Sequence, residues 1–551
     1  MKKILFYSCL ILSLNGISQN MSDFEGNWTG EIPNSQAFNL RIEIENFGNE
    51  KAILKLSNPK EILSFPFKAE SSRFFKIQFT EDQYLEGQLN EDATVIHAFI
   101  KSGILFYHID LHQTKTNTYK GVWNILMLDE LKSSSIYLSV ENAEGENFQA
   151  YPFFRDNRFT GTWCGNFQKE KDEIKFMDFK TGLRFKGKLS KDKIRLGLSL
   201  GEFYLTQIEL KKSSEEWVFG SLKPEDIRWT NSLKLLALEK AILDNTLENT
   251  HSVLVSRKGE VIYENYFKGF NENISHDLRS ASKSISSTIV GLAIDQGHLK
   301  NVDQTLFEFI PSSYQQHNNG LKSQIDIKSL LTMSSGLDAD DYAPSGNSQA
   351  SEGQYQNSAN WLETVLKAKM VNPPNVEANY GSANPFLLGL ILDSVLEEQL
   401  ELYMDKMLFQ KLGISNYIIQ SDLEGKPYFG GGIYMTGRDM IKFGELYLLD
   451  GQYKKEKVLS KEWVQSSFAN YRKLENVPEK NGYGYLWWHH SYKASEKIYK
   501  SIEARGNGGQ YIFIIPDLDL VVAITSANFR NGKTQQPELI LEKYILPYLV
   551  D

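Results

Sequence analysis

The sequence predicts a multidomain protein: an N-terminal all-β region made of two related antiparallel units, then an α/β domain with an antiparallel sheet and an all-α lobe. Three observations carry this. Residues 23 to 213 run in short alternating stretches such as Phe38-Asn39-Leu40-Arg41-Ile42-Glu43-Ile44, separated by Asn, Gly, Asp and Ser clusters. A period of two with frequent turn signals is the pattern of half-buried antiparallel strands. Within that stretch the chain repeats itself, and from about Trp229 the pattern changes to helical spacing bounded at both ends by strands.

The elements follow in order. Lys2 and Lys3 precede an apolar run from Ile4 to Leu14, and Asn15, Gly16, Ser18 and Gln19 form a small-polar exit. This predicts a signal peptide over residues 1–19 and an exported protein, periplasmic or extracellular. The run is shorter than the roughly 18 residues a spanning helix needs, and no later segment reads as a membrane span. Cys9 lies in the signal, so its removal would leave Cys164 as the sole thiol and no internal disulfide.

Two β units follow, over residues 20–115 and 116–230. Phe24-Glu25-Gly26-Asn27-Trp28 resembles Tyr119-Lys120-Gly121-Val122-Trp123, and Leu85-Glu86-Gly87-Gln88-Leu89 resembles Phe185-Lys186-Gly187-Lys188-Leu189. Gly103-Ile104-Leu105-Phe106-Tyr107 pairs in the same way with Gly201-Glu202-Phe203-Tyr204. The repeat length of roughly 95 residues implies two small barrels or one larger sandwich. The Trp and Phe residues recur at strand starts, where core packing is the ordinary role. The functional alternative is a surface for an envelope polymer.

Residues 231–551 form the third unit. Ser232 to Asn245 has helical spacing, and Val253-Leu254-Val255 and Val261-Ile262-Tyr263 flank a hairpin turn at Arg257-Lys258-Gly259-Glu260. Helical patterns and loops fill residues 283 to 450. Strands Tyr511 to Ile515 and Leu520 to Ile524 flank Pro516-Asp517-Leu518-Asp519, and a last helix runs from Pro537 to Leu549. A cleft between two lobes built this way is a favoured place for a small-molecule site.

Composition excludes several classes. The 551 residues are 41% hydrophobic and 23% charged, the mixture of a folded globular chain. Sixty basic against 69 acidic residues, without a Lys/Arg run, argue against nucleic acid as a partner. Two cysteines exclude a disulfide scaffold. The chain has no G-x-S-x-G elbow, H-E-x-x-H zinc motif or G-x-x-x-x-G-K phosphate loop. His489 and His490 are adjacent rather than four apart, which suits wall residues better than zinc ligands.

The chemistry gathers in three segments. Ser280-Ala281-Ser282-Lys283 opens a helical pattern whose apolar positions are Ile285, Ile289, Leu292 and Ala293. Ser280 and Lys283 then lie one turn apart on one face, so the amine can reach the hydroxyl and take its proton. An isolated S-x-x-K match is weak, since Ser57-Asn58-Pro59-Lys60 and Ser190-Lys191-Asp192-Lys193 also fit it. The second segment, Asn379-Tyr380-Gly381-Ser382, sits directly before the apolar helix pattern Phe386 to Leu392. Its tyrosine can share a proton with the Ser/Lys pair if nearby cations lower its pKa. The third is Arg505-Gly506-Asn507-Gly508-Gly509-Gln510, before the strand Tyr511 to Ile515, where backbone N–H groups can face a carbonyl oxygen.

Taken together, these segments resemble the serine β-lactamase and penicillin-binding-protein superfamily, in the branch of class C β-lactamases, family VIII esterases and 6-aminohexanoate-dimer hydrolases. The resemblance covers about residues 236 to 551 and includes Leu330-Leu331-Thr332-Met333-Ser334-Ser335-Gly336-Leu337, Gly431 to Met440 and Tyr483-Gly484-Tyr485-Leu486-Trp487-Trp488. It implies a β-lactamase-like domain in which Ser280 is the acylated nucleophile. Lys283 and Tyr380 act as a coupled proton-handling pair, and the backbone N–H groups of Ser280 and Gln510 form the oxyanion hole. Ser382, Asn507, Gly508 and Gly509 would contact substrate, and no metal or organic cofactor is required.

Departures from the β-lactamase pattern narrow the substrate. Tyr380-Gly381-Ser382 stands for Tyr-x-Asn, and Asn507-Gly508-Gly509 for Lys-Thr-Gly, which removes the cation expected on a β-lactam carboxylate unless Arg505 replaces it. The resemblance therefore implies an exported serine hydrolase that acts through an acyl-enzyme on a carboxylic ester or small amide. A β-lactamase or D-amino-acid peptidase is the alternative within the superfamily. A non-catalytic envelope-binding protein with a degenerate hydrolase domain is the alternative from another class.

Overall fold

The computed structural model describes residues 24–550 apart from 72, 81–82, 127–134, 144–146, 155–163, 171, 191 and 215–231. The signal peptide expected over residues 1–19 and the expected boundary at 230/231 lie outside the described residues. Among the described residues no helix is long and apolar enough to cross a membrane.

Among the described residues, sixteen strands make the N-terminal region. The first nine are β1 (Gly26–Glu31), β2 (Asn39–Glu45), β3 (Ala52–Ser57), β4 (Ile62–Phe67), β5 (Phe74–Gln78), β6 (Tyr84–Leu89), β7 (Val95–Ser102), β8 (Leu105–Lys115) and β9 (Thr118–Asn124). The remaining seven are β10 (Ser135–Ala143), β11 (Asn147–Phe154), β12 (Cys164–Glu170), β13 (Glu173–Asp178), β14 (Leu183–Ser190), β15 (Lys193–Leu200) and β16 (Phe203–Ser213). Their alternation is the one read from the sequence. In β2 the buried residues are Leu40, Ile42 and Ile44, and in β15 Ile194, Leu196, Leu198 and Leu200.

The repeated segments exchange their first strands. β1 pairs with β10 and β16 and closes an eight-stranded barrel with β10 to β16. β9, which carries the matching tryptophan, pairs instead with β2 and β8. The pairing thus crosses the expected boundary at 115/116. Each unit is completed by a strand whose Trp, Trp28 or Trp123, is almost fully buried. β2 to β9 form a curled sheet that stays open between β4 and β5.

The remaining residues fold as an α/β domain. Its central sheet has the order β18-β17-β29-β28-β27-β26-β25-β24. The hairpin strands are β17 (Thr250–Arg257) and β18 (Glu260–Tyr266), and three short strands follow: β19 (His276–Asp277), β20 (Ile418–Gln420) and β21 (Ile433–Met435). β22 (Gln452–Tyr453) and β23 (Glu456–Lys457) make a separate small hairpin. The sheet ends with β24 (Arg472–Lys473), β25 (Gly482–Tyr483), β26 (Trp488–Ala494), β27 (Lys497–Gly506), β28 (Gln510–Ile515) and β29 (Leu520–Ser526). Helices Ser282–Asp295 and Ala383–Val395 pack together in the helical lobe, and Gly437–Leu448 lies against the sheet. Gly444 allows that last approach, because a Cβ there would stand 2.5 Å from Val521 Cγ1.

The β region and the α/β domain share one sheet. β8 is long enough to pair with β9 at its far end and with β20 at its near end, where Tyr107 faces Ile418 and Leu105 faces Gln420. β20 pairs with β21 and β21 with β19, so hydrogen bonding runs unbroken from the first β unit to Asp277.

Candidate active site

Ser280 lies in a tight turn, Arg279–Ala281, that leads from β19 into the helix Ser282–Asp295. Nearly every residue of that helix is buried, and several of its hydroxyls find internal partners: Ser284 Oγ donates to Leu486 O, and Ser286 Oγ to Phe429 O. A buried helix with satisfied hydroxyls holds its first turn rigidly. From that turn Lys283 Nζ donates to Ser280 Oγ at 2.8 Å and also to the carbonyl of Gly430 at 2.5 Å. Lys283 is 1% exposed. Burial holds its ammonium below the usual lysine range, against the pull of Glu352 and Asp341.

Tyr380 reaches the same hydroxyl. Its phenol hydrogen-bonds Ser280, and Lys283 Nζ stands 5.1 Å from its ring centre. Gly381 permits this placement, because a Cβ there would sit 1.6 Å from Ala339 O. The expectation that nearby cations lower the Tyr380 pKa is corrected. Burial raises it, the hydrogen bond to Ser280 opposes the rise, and Asp341 and Glu352 add to it. The phenol therefore stays protonated, and the group whose affinity for a proton is weakened is the lysine.

Ser382 does not face an open site. Both its N–H and its hydroxyl donate to Asp341 Oδ2, at 2.7 and 2.6 Å. The serine that stands for the amide of Tyr-x-Asn is thereby committed to the loop that carries Asp341. Asp341 and Glu352 escaped sequence reasoning, although Asp338, Asp340 and Asp341 cluster directly after the Leu330 to Leu337 motif. Glu352 accepts from Tyr428 at 2.6 Å, and burial raises its carboxyl pKa while Lys283 opposes the shift.

The third segment borders the Ser280 turn through its first glycine. A Cβ at Gly506 would lie 2.1 Å from Leu278 O and 3.2 Å from Ala281 N, so only glycine lets β27 approach the Ser280 turn this closely. Gln510, the first residue of β28, pairs with Gly506 across the hairpin. Gly508 and Gly509 take positive φ and turn the other way: Gly508 O accepts from Asn528 N, and Gly509 O from Ser526 Oγ. Asn507 is exposed, and its Oδ1 accepts from Thr534 at 3.3 Å. The turn thus places Gly506 against the Ser280 turn, with Gln510 across the hairpin from it, and backs Gly508 and Gly509 onto the end of β29.

Arg505 does not replace the missing lysine. Its guanidinium is buried between Glu503 (Nε to Oε2, 2.6 Å) and Glu538 (Nη1 to Oε1, 3.0 Å), and it lies over the Trp488 ring at 5.2 Å. A cation already paired with two carboxylates has little field left for a third.

The second β unit also reaches the site. Lys180, from the turn between β13 and β14, is fully buried with Nζ 3.4 Å from Asp277 Oδ2. Asp277 holds Arg279 through the backbone N–H (3.0 Å) and through Nε (3.1 Å). Arg279 adopts φ +51°, a conformation that costs a non-glycine residue about 1–2 kcal/mol. The residue before Ser280 is thus held in strain by an aspartate that the N-terminal region helps to anchor. No sequence motif marked Lys180, because the contact joins residues 97 positions apart.

The family model described as Beta-lactamase matches residues 240–544. The chain is 26% identical over 317 residues to 6-aminohexanoate-dimer hydrolase of Paenarthrobacter ureafaciens, covering 54% of this chain and 77% of that protein. Among solved structures, a putative 6-aminohexanoate-dimer hydrolase from Bacillus anthracis aligns with TM-score 0.45 and 20% identity, over 55% of this chain and 80% of that one. EstCE1, a hydrolase with promiscuous acyltransferase activity, aligns with TM-score 0.47 and 16% identity, over 57% and 97%.

Proposed function

The chain belongs to the beta-lactamase family, and from that premise we propose that it is a serine hydrolase that cleaves carboxylic esters or small amides through an acyl-enzyme. The observation that carries this is the convergence of Lys283 Nζ, at 2.8 Å, and the Tyr380 phenol on one hydroxyl, that of Ser280. A binding protein with a degenerate hydrolase domain would have no use for that arrangement.

The reading assigns the steps as follows. Neutral Lys283 takes the Ser280 proton as Oγ attacks the substrate carbonyl carbon, and the carbonyl π electrons move to its oxygen, which the N–H groups of Ser280 and Gln510 receive. Collapse of the tetrahedral adduct breaks the bond to the leaving oxygen or nitrogen. Tyr380 donates its proton to that leaving atom and is reprotonated from Lys283. Water then attacks the acyl-enzyme along the same route in reverse, which releases the acid and restores Ser280. Because Arg505 is neutralised by Glu503 and Glu538, the reading favours acyl groups without a carboxylate at the position a β-lactam would use. The similarity to 6-aminohexanoate-dimer hydrolase makes linear amides of amino acids the first substrates to try. Export, with the enzyme periplasmic or extracellular, belongs to the same reading and rests on residues 1–19.

Labelling with a fluorophosphonate probe and turnover of p-nitrophenyl esters and aminohexanoate oligomers test it. Ser280→Ala is expected to abolish labelling and to lower kcat/KM about 10⁴-fold or more; equal turnover in both proteins would sink the proposal. In the wild type kcat/KM is expected to rise with pH as Lys283 loses its proton, at a pH below the ordinary lysine range. Lys283→Arg, which stays charged, is expected to lose about 10²–10⁴-fold and that pH dependence with it. Rapid nitrocefin turnover would overturn the preference for esters and linear amides.

A further inference from the structure

We propose that His97, His108 and Asp405 form a binding site for a zinc-class divalent cation at the seam between the first β unit and the helical lobe. His97 comes from β7 and His108 from β8, while Asp405 follows the helix Leu400–Met404. One ligand atom from each lies within 4.8 Å of the others. Coordination at about 2.1 Å would draw them to roughly 3.4 Å apart, a change within the reach of side-chain rotation.

The tautomers favour coordination. His108 Nδ1 lies 2.7 Å from the carbonyl of Ser415, which can only accept, so Nδ1 carries a proton and the neutral ring presents its lone pair at Nε2. That nitrogen is buried and makes no hydrogen bond, yet it faces Asp405 Oδ1 at 3.3 Å and Asp110 Oδ1 at 3.6 Å. A lone pair against two carboxylates calls for a positive charge among them, either a metal ion or a proton on Nε2. His97 Nδ1 is in turn 2.7 Å from the same Asp110 Oδ1, so a second carboxylate borders the two imidazoles. Asp405 is fixed by Tyr417 and Gln410, at 2.7 and 2.6 Å, and Tyr417 stacks on the His108 ring at 4.6 Å.

The donor set names the class of ion. Two imidazoles and a carboxylate suit zinc, cobalt or nickel, whereas calcium and magnesium take oxygen ligands. His97 is half-buried and offers an entry route and a position for water. Such an ion would bridge residues about 300 positions apart in sequence, with the His108–Ser415 bond spanning 307, and so pin the β region to the helical lobe.

Tag-free, chelator-stripped protein titrated with Zn²⁺ in a calorimeter, with melting followed in parallel, tests this. The wild type is expected to bind one ion per chain and to melt higher as free Zn²⁺ increases. Co²⁺ is expected to give the visible absorption of a low-coordinate nitrogen and oxygen site. His97→Gln and Asp405→Asn are each expected to weaken Zn²⁺ binding at least tenfold, while the double change His489→Gln, His490→Gln leaves it unaltered. If Asp405→Asn fails to fold, the half-buried His97→Gln carries the test alone. Equal binding by wild type and His97→Gln would overturn the proposal. So would a stripped wild type that takes up no Zn²⁺, in which case Nε2 of His108 holds a proton shared with the two aspartates.

Discussion

The two β units have the same strand plan and are used in different ways. The second closes: β1 seals it against β10 and β16, and it touches the α/β domain through the turn that carries Lys180. The first stays open between β4 and β5, where a cavity of about 270 Å³ is lined by Leu40, Phe65, Trp123 and Phe203 among others. It is also the unit whose strand β8 pairs with β20 of the α/β domain, through Leu105–Tyr107, the stretch that β9 does not cover. One copy of a duplicated element can thus serve as a brace and the other share hydrogen bonds with the α/β domain.

That comparison breaks most readily where the units meet. Gly103 takes φ +58°, and a Cβ there would lie 2.5 Å from Gly182 N and from Lys180 O. Gly103→Val is expected to cost more than about 4 kcal/mol in urea unfolding. Gly259→Ala, also at positive φ but with no neighbour within 4 Å, should cost only about 1 kcal/mol. A similar cost at both positions would mean that the units barely lean on each other.

The two exchanged tryptophans sharpen it. Trp28 Nε1 donates to Phe24 O at 2.8 Å inside the closed barrel, whereas Trp123 Nε1 has no hydrogen bond and its ring borders the cavity. Both Trp→Ala changes should cost about 3–5 kcal/mol. Trp28→Ala should be the worse by about 1 kcal/mol, because it also strands a buried carbonyl. The reverse order, in equilibrium unfolding, would refute the assignment of the closed unit as the better packed.

Lys180→Met probes the brace alone. Loss of the anchor on Asp277 is expected to lower kcat about tenfold, near 1.4 kcal/mol, with KM little changed. It should also change the pH dependence of stability. Burial lowers the Lys180 pKa to about 8, below its unfolded value of 10.5. Between those limits the unfolded chain binds more protons, so wild-type stability gains as pH rises from about 8 to about 10.5. The variant should lack that increment when unfolding is compared at pH 7.5 and pH 10. The smallest effect concerns Cys164: buried in β12, with its thiol pKa raised by desolvation, it should resist iodoacetamide in the native protein and react once urea unfolds it.

Much of this was legible because the signals are local. Alternation marks β2 and β15 from their own residues, since a strand with one buried face shows it every second position. Ser280 and Lys283 are one turn apart on one helix start, and Gly506 and Gln510 belong to one hairpin. What escaped was set by distant partners. Ser382 keeps a hydroxyl in any sequence reading, and only Asp341 shows that the hydroxyl is already used. Arg505 is a cation on paper, and only the fold shows it paired with both Glu503 and Glu538.

The sequence by itself determined the order of strands and helices, the duplication, and the three segments that converge on Ser280, because periodicity and short-range spacing are properties of neighbours along the chain. Only the tertiary structure decided that β1 and β9 change places, that β8 pairs with β20 of the α/β domain and that Lys180 stands behind Asp277. It also decided that Lys283 rather than Tyr380 is the group eased toward losing its proton. Those outcomes depend on burial and on charges brought together from far along the chain, and neither is written in the residues that feel them.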